Sequence, residues 1–250
     1  MSGPVALHGG GEFLAGDEPF LGALLDVAAV RAGDGRPIRV AVVPTAAARG
    51  RPDLAGDHGV EAFERVAGAR GLDVEAAVVG VVNPATAADK GLAAQLTAAD
   101  VIHLPGGDPD LIPTVMRGTS AWAAIIEAHG AGAVLAGASA GAMALGSWTW
   151  TPGGGMGGLM VVHGLVVVPH ALGATWGTTI ERFRAWAPEG LGALGLAEQT
   201  GVISEVVPPG GTAIPWRVVG PGEARWLAAV EGQTLVARSG EWIETPLIPL

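Results

Sequence analysis

The chain has 250 residues, 49% of them apolar, with 41 glycines, 18 prolines, no cysteine, no tyrosine and a formal charge of −10. That length suits one large α/β domain or two small ones, and the missing cysteines exclude disulfides, thiolate nucleophiles and the usual zinc–thiolate sites. The acidic balance argues against a nucleic-acid partner, which needs a basic footprint.

The N-terminal residues lack the basic stretch and apolar core of a signal peptide. The apolar run at 159–168 is broken by His163 and is too short to span a bilayer. A soluble, cytoplasmic protein without a membrane partner is the expectation.

Residues 4–8 open the chain as a short apolar strand followed by Gly9-Gly10-Gly11. A helix is predicted over 19–32 and a strand over 39–44, ending at Thr45-Ala46. The next helix is predicted over 59–70, begun by Asp57 or Gly59, because Val60, Phe63, Val66 and Ala67 recur at helical spacing. A strand over 74–79, a helix over 87–96 and a strand over 101–105 follow, the last running into Gly106-Gly107-Asp108. A helix over 119–130 and a strand over 132–136 then lead into Gly137-Ala138-Ser139-Ala140-Gly141. Alternation at this interval marks βα units of a parallel sheet with helices on both faces. In such sheets the site lies beyond the C-terminal strand ends, where the glycines at 9–11, 106–107 and 137–141 gather.

After Gly146 the texture changes. Trp148, Trp150 and Pro152-Gly153-Gly154-Gly155 predict a loop or short hairpin carrying aromatics. A strand over 165–169 ends at His170, and a helix is expected over 178–186. Residues 201–207, 212–219 and 233–237 read as antiparallel strands, turned at Pro208-Pro209-Gly210-Gly211, Gly220-Pro221-Gly222 and Ser239-Gly240. No low-complexity linker divides the chain, so residues 1–250 are read as one domain.

Ser139 follows an apolar strand and precedes a run of small residues, the context of a nucleophile elbow whose strained turn exposes the hydroxyl. The alternative is a helix N-cap serine. His170, at a strand end, is the leading base for Ser139; otherwise it is bonded to a backbone carbonyl. His8 is a weaker candidate for lining the cleft, His103 reads as a core residue, His58 and His129 as helix-end or surface residues, and His163 as pocket wall. Between Ser139 and His170 there is no Asp or Glu, which leaves Glu198, ahead of the 201–207 strand, as the best later acid to hold the imidazole. The Ala140 amide, at a helix N-terminus, and the Gly107 amide are natural oxyanion donors. Asp108 and Asp110 either cap the next helix or bind a cationic group of a substrate. No HExxH, GxGxxG or GxxxxGK[ST] pattern occurs, so no metal or cofactor is expected.

The order Gly9-Gly10-Gly11, Pro105-Gly106-Gly107-Asp108, Gly137-Ala138-Ser139-Ala140-Gly141-Ala142, His170, Gly195-Leu196-Ala197-Glu198-Gln199-Thr200 resembles the cyanophycinase and aspartyl-dipeptidase family of serine peptidases. The resemblance covers roughly residues 4–205. It implies a three-layer α/β sandwich with a mostly parallel central sheet, like the class I glutamine amidotransferases, followed by C-terminal antiparallel strands. It implies Ser139 as nucleophile, His170 as base, Glu198 as third triad member, and Gly107 and Ala140 as the oxyanion hole. Gly10, Gly106, Asp108, Trp148 and Trp176 are then the expected substrate contacts, the substrate a small peptide or amide, and a homodimer stays open.

One segment departs from the family. His170-Ala171-Leu172-Gly173-Ala174-Thr175-Trp176 lacks the usual phenylalanine and regularly spaced arginines, and the first arginine is Arg182. Trp148, Trp150 and Trp176 are candidates for a more apolar wall, with altered specificity. A non-catalytic relative that keeps the elbow for ligand binding or assembly is the alternative. An amidotransferase would need a cysteine.

Overall fold

The computed structural model describes residues 2–33, 35–204, 212–229 and 234–246. The elements in chain order are β1 (Val5–His8), α1 (Glu18–Ala32), β2 (Ile38–Val42), α2 (Pro52–Arg70), β3 (Val74–Val78), α3 (Pro84–Ala87), α4 (Lys90–Thr97) and β4 (Val101–Leu104). Next come α5 (Leu111–Met116), α6 (Ser120–Gly130), β5 (Val134–Ala138), α7 (Ala140–Leu145), β6 (Trp148–Thr149), β7 (Met156–Gly157) and β8 (Leu165–Val168). The chain continues through α8 (Trp176–Trp186), β9 (Gly192–Leu196), β10 (Gly201–Ser204), β11 (Ala213–Val219), β12 (Glu223–Leu227), β13 (Thr234–Arg238) and β14 (Trp242–Pro246).

The central sheet has the order β14-β11-β10-β1-β5-β4-β2-β3. From β1 to β3 every pairing is parallel, whereas β10, β11 and β14 add antiparallel strands beyond β1. Side chains alternate between the faces, as the period of a strand requires. Leu7, Ile102, Leu104 and Leu135 pack with α4 to α7, while Ala6, Val40, Val42 and Ala136 pack with α1 and α2. The result is the expected layered architecture, with helices on both faces of a mostly parallel sheet. Among the described residues, no helix is long and apolar enough to cross a membrane.

A second sheet, β13-β12-β9-β8, was not foreseen. The expected strand at 165–169 forms, but it pairs in parallel with β9, outside the central sheet. Leu165, Val167, Leu194 and Leu196 join the large core, while Val166 and Ala193 pack against Trp176, Ile180 and Phe183 of α8. Strands β9, β12 and β14 were not read from the sequence. Residues 205–211 and Gln233, including the predicted Pro208-Pro209-Gly210-Gly211 turn, lie outside the described residues.

Other boundaries moved for local reasons. Helix α2 starts at Pro52, ahead of Asp57 and Gly59, because proline at the first helical position has its backbone angle already set. The helix expected over 87–96 is two helices. Asn83 caps α3 in a reciprocal box with Thr86, and Asp89 caps α4 by accepting from the Leu92 N–H. Strand β5 is displaced by two residues, so that it ends directly at Ser139.

His103 on β4 is fully buried between Phe13 and Phe63, and neither ring nitrogen has a hydrogen-bond partner among the described residues. Burial, with a smaller contribution from His8, pushes its pKa down to about 3. The folded ring stays neutral, so below the ordinary value of 6.5 the unfolded chain binds a proton that the folded chain does not. Stability therefore falls as pH falls, by about 1.4 kcal/mol per pH unit while only the unfolded state titrates. His103→Leu is expected to flatten the decline in urea-unfolding free energy between about pH 6.5 and about pH 4; an unchanged slope would exclude this residue as its source.

Candidate active site

Ser139 sits between β5 and α7 with φ 47° and ψ −113°, in the left-handed half of backbone space that side chains normally avoid. The turn is tight enough that a Cβ on Gly141 would lie 2.0 Å from the Leu104 carbonyl oxygen, so only glycine fits. The Ser139 hydroxyl makes no capping bond to α7. Its Oγ instead lies 3.1 Å from His170 Nε2, and His170 Nδ1 lies 2.9 Å from Glu198 Oε1. The three side chains read separately from the sequence therefore form one chain of contacts. It is open to water: the His170 and Glu198 side chains are 50% and 63% exposed.

Two parallel pairings explain the assembly. Strands β1 and β5 pair with His8 opposite Ala138, which puts Ser139 beside the Gly9–Gly11 turn. Strands β8 and β9 pair with Val168 opposite Gly195, so His170 and Glu198 leave neighbouring strand ends in the same direction. The Gly9–Gly10 backbone then joins the sheets. The His170 N–H donates to Gly9 O at 2.8 Å, the Gln199 N–H to Gly10 O at 2.7 Å, and the Gly9 N–H to Thr200 O at 2.9 Å.

Among the described residues, five non-glycine residues have positive φ, and Phe13, Ser139, His170 and Gln199 all belong to these converging loops; Met160 is the other. Strain concentrated in this way is characteristic of functional sites, where the surrounding structure holds it in place.

A cavity of about 380 Å³ opens at Ser139, Ala140, His170 and Gly107. The N–H groups of Gly107 and Ala140 donate to no protein acceptor among the described residues. For Ala140 this follows from its place in the first turn of a helix. Two free donors thus line the same cavity as the hydroxyl.

The remaining expected site residues are placed as follows. Gly10 supports His170, since a Cβ there would fall 2.3 Å from the ring Cε1. Gly106 does not line the cavity, and its N–H donates to Glu12 Oε1 at 2.7 Å. Neither Asp108 nor Asp110 caps α5 through its side chain; Arg49 grips Asp110 through both carboxylate oxygens and stands 3.6 Å from Asp108. Trp176 is buried against the second sheet and donates through Nε1 to Thr234 Oγ1. Trp148 is half-buried against the same core. The aromatic wall comes from Trp150, Phe183 and Trp186 instead, with Met143 beside them. His8 is fully buried, its Nε2 3.0 Å from Asp17 Oδ1, while His58 is exposed and His163 is half-buried away from the cavity. Among the described residues no group of three or more histidines and carboxylates is placed to hold a metal.

Glu12 went unnoticed in the sequence. Its half-buried carboxylate holds the strand that presents Gly107, and a Cβ on Gly106 would lie 2.8 Å from Glu12 Oε1 and 3.1 Å from Ser139 Cβ. The available signal was its position directly after the Gly9–Gly11 turn, at the end of a central strand.

A strand–turn–helix serine facing a carboxylate-backed imidazole, on a mostly parallel sheet, is the architecture of an α/β serine-hydrolase class. Within that class the sequence model of peptidase family S51 matches residues 7–197, and the chain belongs to that family. The crystal structure of a peptidase from an acI-B1 actinobacterium superposes with a TM-score of 0.74 at 24% identity, covering 98% of each chain. A candidate peptidase E protein from Listeria monocytogenes EGD-e gives a TM-score of 0.55 at 15% identity, covering 95% of this chain and 99% of its own. No curated protein matches the chain.

Gly10→Ala tests the support beneath His170. The new methyl would meet the ring while the backbone stays at φ +106°. The expected outcome is a loss of about 1–3 kcal/mol in urea unfolding, with the imidazole displaced from Ser139 in a crystal structure of the variant. A variant that keeps the 3.1 Å contact and full stability would refute the support.

Proposed function

We propose that this chain is a serine-dependent hydrolase of peptide or small amide substrates, cyanophycinase-like in mechanism, working through an acyl-enzyme on Ser139. The reading rests on the Ser139 Oγ–His170 Nε2–Glu198 contacts, at 3.1 Å and 2.9 Å. In attack, Ser139 Oγ bonds to the substrate carbonyl carbon while its proton passes to His170 Nε2. The Glu198 carboxylate accepts from Nδ1–H, fixing the tautomer and favouring the imidazolium. The tetrahedral oxyanion accepts from the Gly107 and Ala140 N–H groups. As the C–N bond breaks, His170 gives its proton to the leaving amine. Water, deprotonated by the same imidazole, then cleaves the ester and restores Ser139.

The first turn of α7 leaves the Ala140 N–H free in any case, so it is the second free donor, the Gly107 N–H on the same cavity, that favours catalysis over a purely binding role. The lost arginines after His170 point away from aspartyl substrates and toward an altered specificity.

An alkyl fluorophosphonate tests the mechanism without knowledge of the substrate. Wild type should be labelled at Ser139 and Ser139→Ala not at all. His170→Ala should slow labelling by about 10³-fold or more. Glu198→Gln should slow it by only about 10- to 100-fold, because a carboxylate this exposed is screened by water. Absence of labelling in a protein with a normal melting transition would favour the non-catalytic relative.

Glu12 provides a second test. Glu12→Ala leaves the Gly106 N–H unheld and should slow labelling about tenfold, whereas Glu12→Gln keeps an acceptor oxygen and should restore most of the rate. Equal rates in all three proteins would show that the Glu12 contact does not matter to the oxyanion strand.

A further inference from the structure

The cavity at Ser139 has a chemical character that narrows what occupies it. Met143, Trp150, Val167, Phe183 and Trp186 give it an apolar wall, and about 380 Å³ is ample for an aromatic or branched side chain. Among the described residues no aspartate or glutamate lines it, so an ammonium group would find no carboxylate there. Apart from His170, its single charged lining residue is Arg182.

Arg182 is exposed to solvent and lines this cavity. Arg31, Arg36, Arg39, Arg49, Arg51, Arg65, Arg70, Arg225 and Arg238 all face carboxylates, and Arg117 donates to the Gly157 and Gly158 carbonyls. Among the described residues Arg182 has no such partner, although the chain carries 24 acidic side chains to 14 basic ones. Arg184 is also unpaired among the described residues, but it lines a different cavity together with Glu189. An unpaired guanidinium in a cavity with no acid of its own is a site for an incoming anion, and its fork geometry matches a carboxylate.

We propose that this cavity binds the leaving residue of a short peptide, with a bulky apolar side chain against Trp150, Phe183 and Trp186 and its terminal carboxylate on Arg182. The proposal rests on the hydrolase reading above and names its substrate class. The leaving side is indicated by the chain itself. Thr179, Arg182, Phe183 and Trp186 all lie on α8, the helix that follows His170, and His170 is the group that protonates the departing amine. When the peptide C–N bond breaks, the residue leaves as a free amino acid whose carboxylate has remained on Arg182 throughout.

Protection against fluorophosphonate labelling tests this with simple probes. At millimolar concentration 3-phenylpropanoate should slow labelling of Ser139, while 3-phenylpropanamide and acetate should be at least about tenfold weaker, lacking respectively the charge and the ring. Arg182→Gln should abolish the preference for acid over amide, and Arg182→Lys should restore part of it. The same ligands are titrated by tryptophan fluorescence, which reads Trp150 and Trp186 whether or not Ser139 reacts. Equal binding of acid and amide, or an acid preference that survives Arg182→Gln, overturns the subsite. Failure of wild type to label, with acid-selective fluorescence binding intact, would instead overturn the hydrolase reading and leave the anion subsite standing.

Discussion

Three backbone hydrogen bonds at Gly9 and Gly10 hold the candidate site together. Ser139 follows a strand of the central sheet, while His170 and Glu198 leave strands of the second sheet, and among the described residues no strand pairing joins the two. The joint is made by the Gly9 and Gly10 carbonyls, which accept from the His170 and Gln199 N–H groups, and by the Gly9 N–H, which donates to Thr200. Each bond contributes only about 1 kcal/mol net. Together they fix the hydroxyl–imidazole separation, and a misplacement of about 1 Å in such a pair costs on the order of a hundredfold in rate.

The same joint explains where strain collects. Ser139, His170, Phe13 and Gln199 hold positive φ where the loops after β1, β5, β8 and β9 meet. A relaxed backbone would point those side chains elsewhere. The bottom of the sheet is tied differently, by charge: fully buried Asp100 accepts from Arg31, from Arg36 and from the Arg39 N–H. Burial alone would raise its pKa, but the Arg36 guanidinium and its neighbours hold the carboxyl below the ordinary range.

The residues around the cavity come from both sheets and the elements packed on them. Gly107 and Ser139 lie in the turns that follow β4 and β5 and Ala140 opens α7, where a Cβ on Gly107 or Gly141 would strike neighbouring backbone. Most of the remaining lining comes from α8, from Trp150 of the β6–β7 hairpin, from Met143 of α7 and from Val167 and Val168 of β8.

Much of this was readable in the chain because it is local. The five parallel strands follow from short apolar runs bounded by turns, and the elbow from glycines that only a tight strand-to-helix bend requires. Ser139, His170 and Glu198 stood out as the residue types a hydrolase needs at strand ends. What the chain could not show depends on partners distant in sequence. Strand β9 is Gly192-Ala193-Leu194-Gly195-Leu196, weakly strand-forming by itself, and becomes a strand only between β8 and β12; Gly195 yields its side-chain space to the Trp176 ring. The fates of Trp176 in the core, Asp108 and Asp110 beside Arg49, and Glu12 on the Gly106 N–H were likewise settled by tertiary neighbours. Sequence determined which groups were available for chemistry and which segments could be strands, because those are properties of short stretches. Tertiary structure alone decided which groups meet, because sheet register and loop docking set distances between residues far apart along the chain.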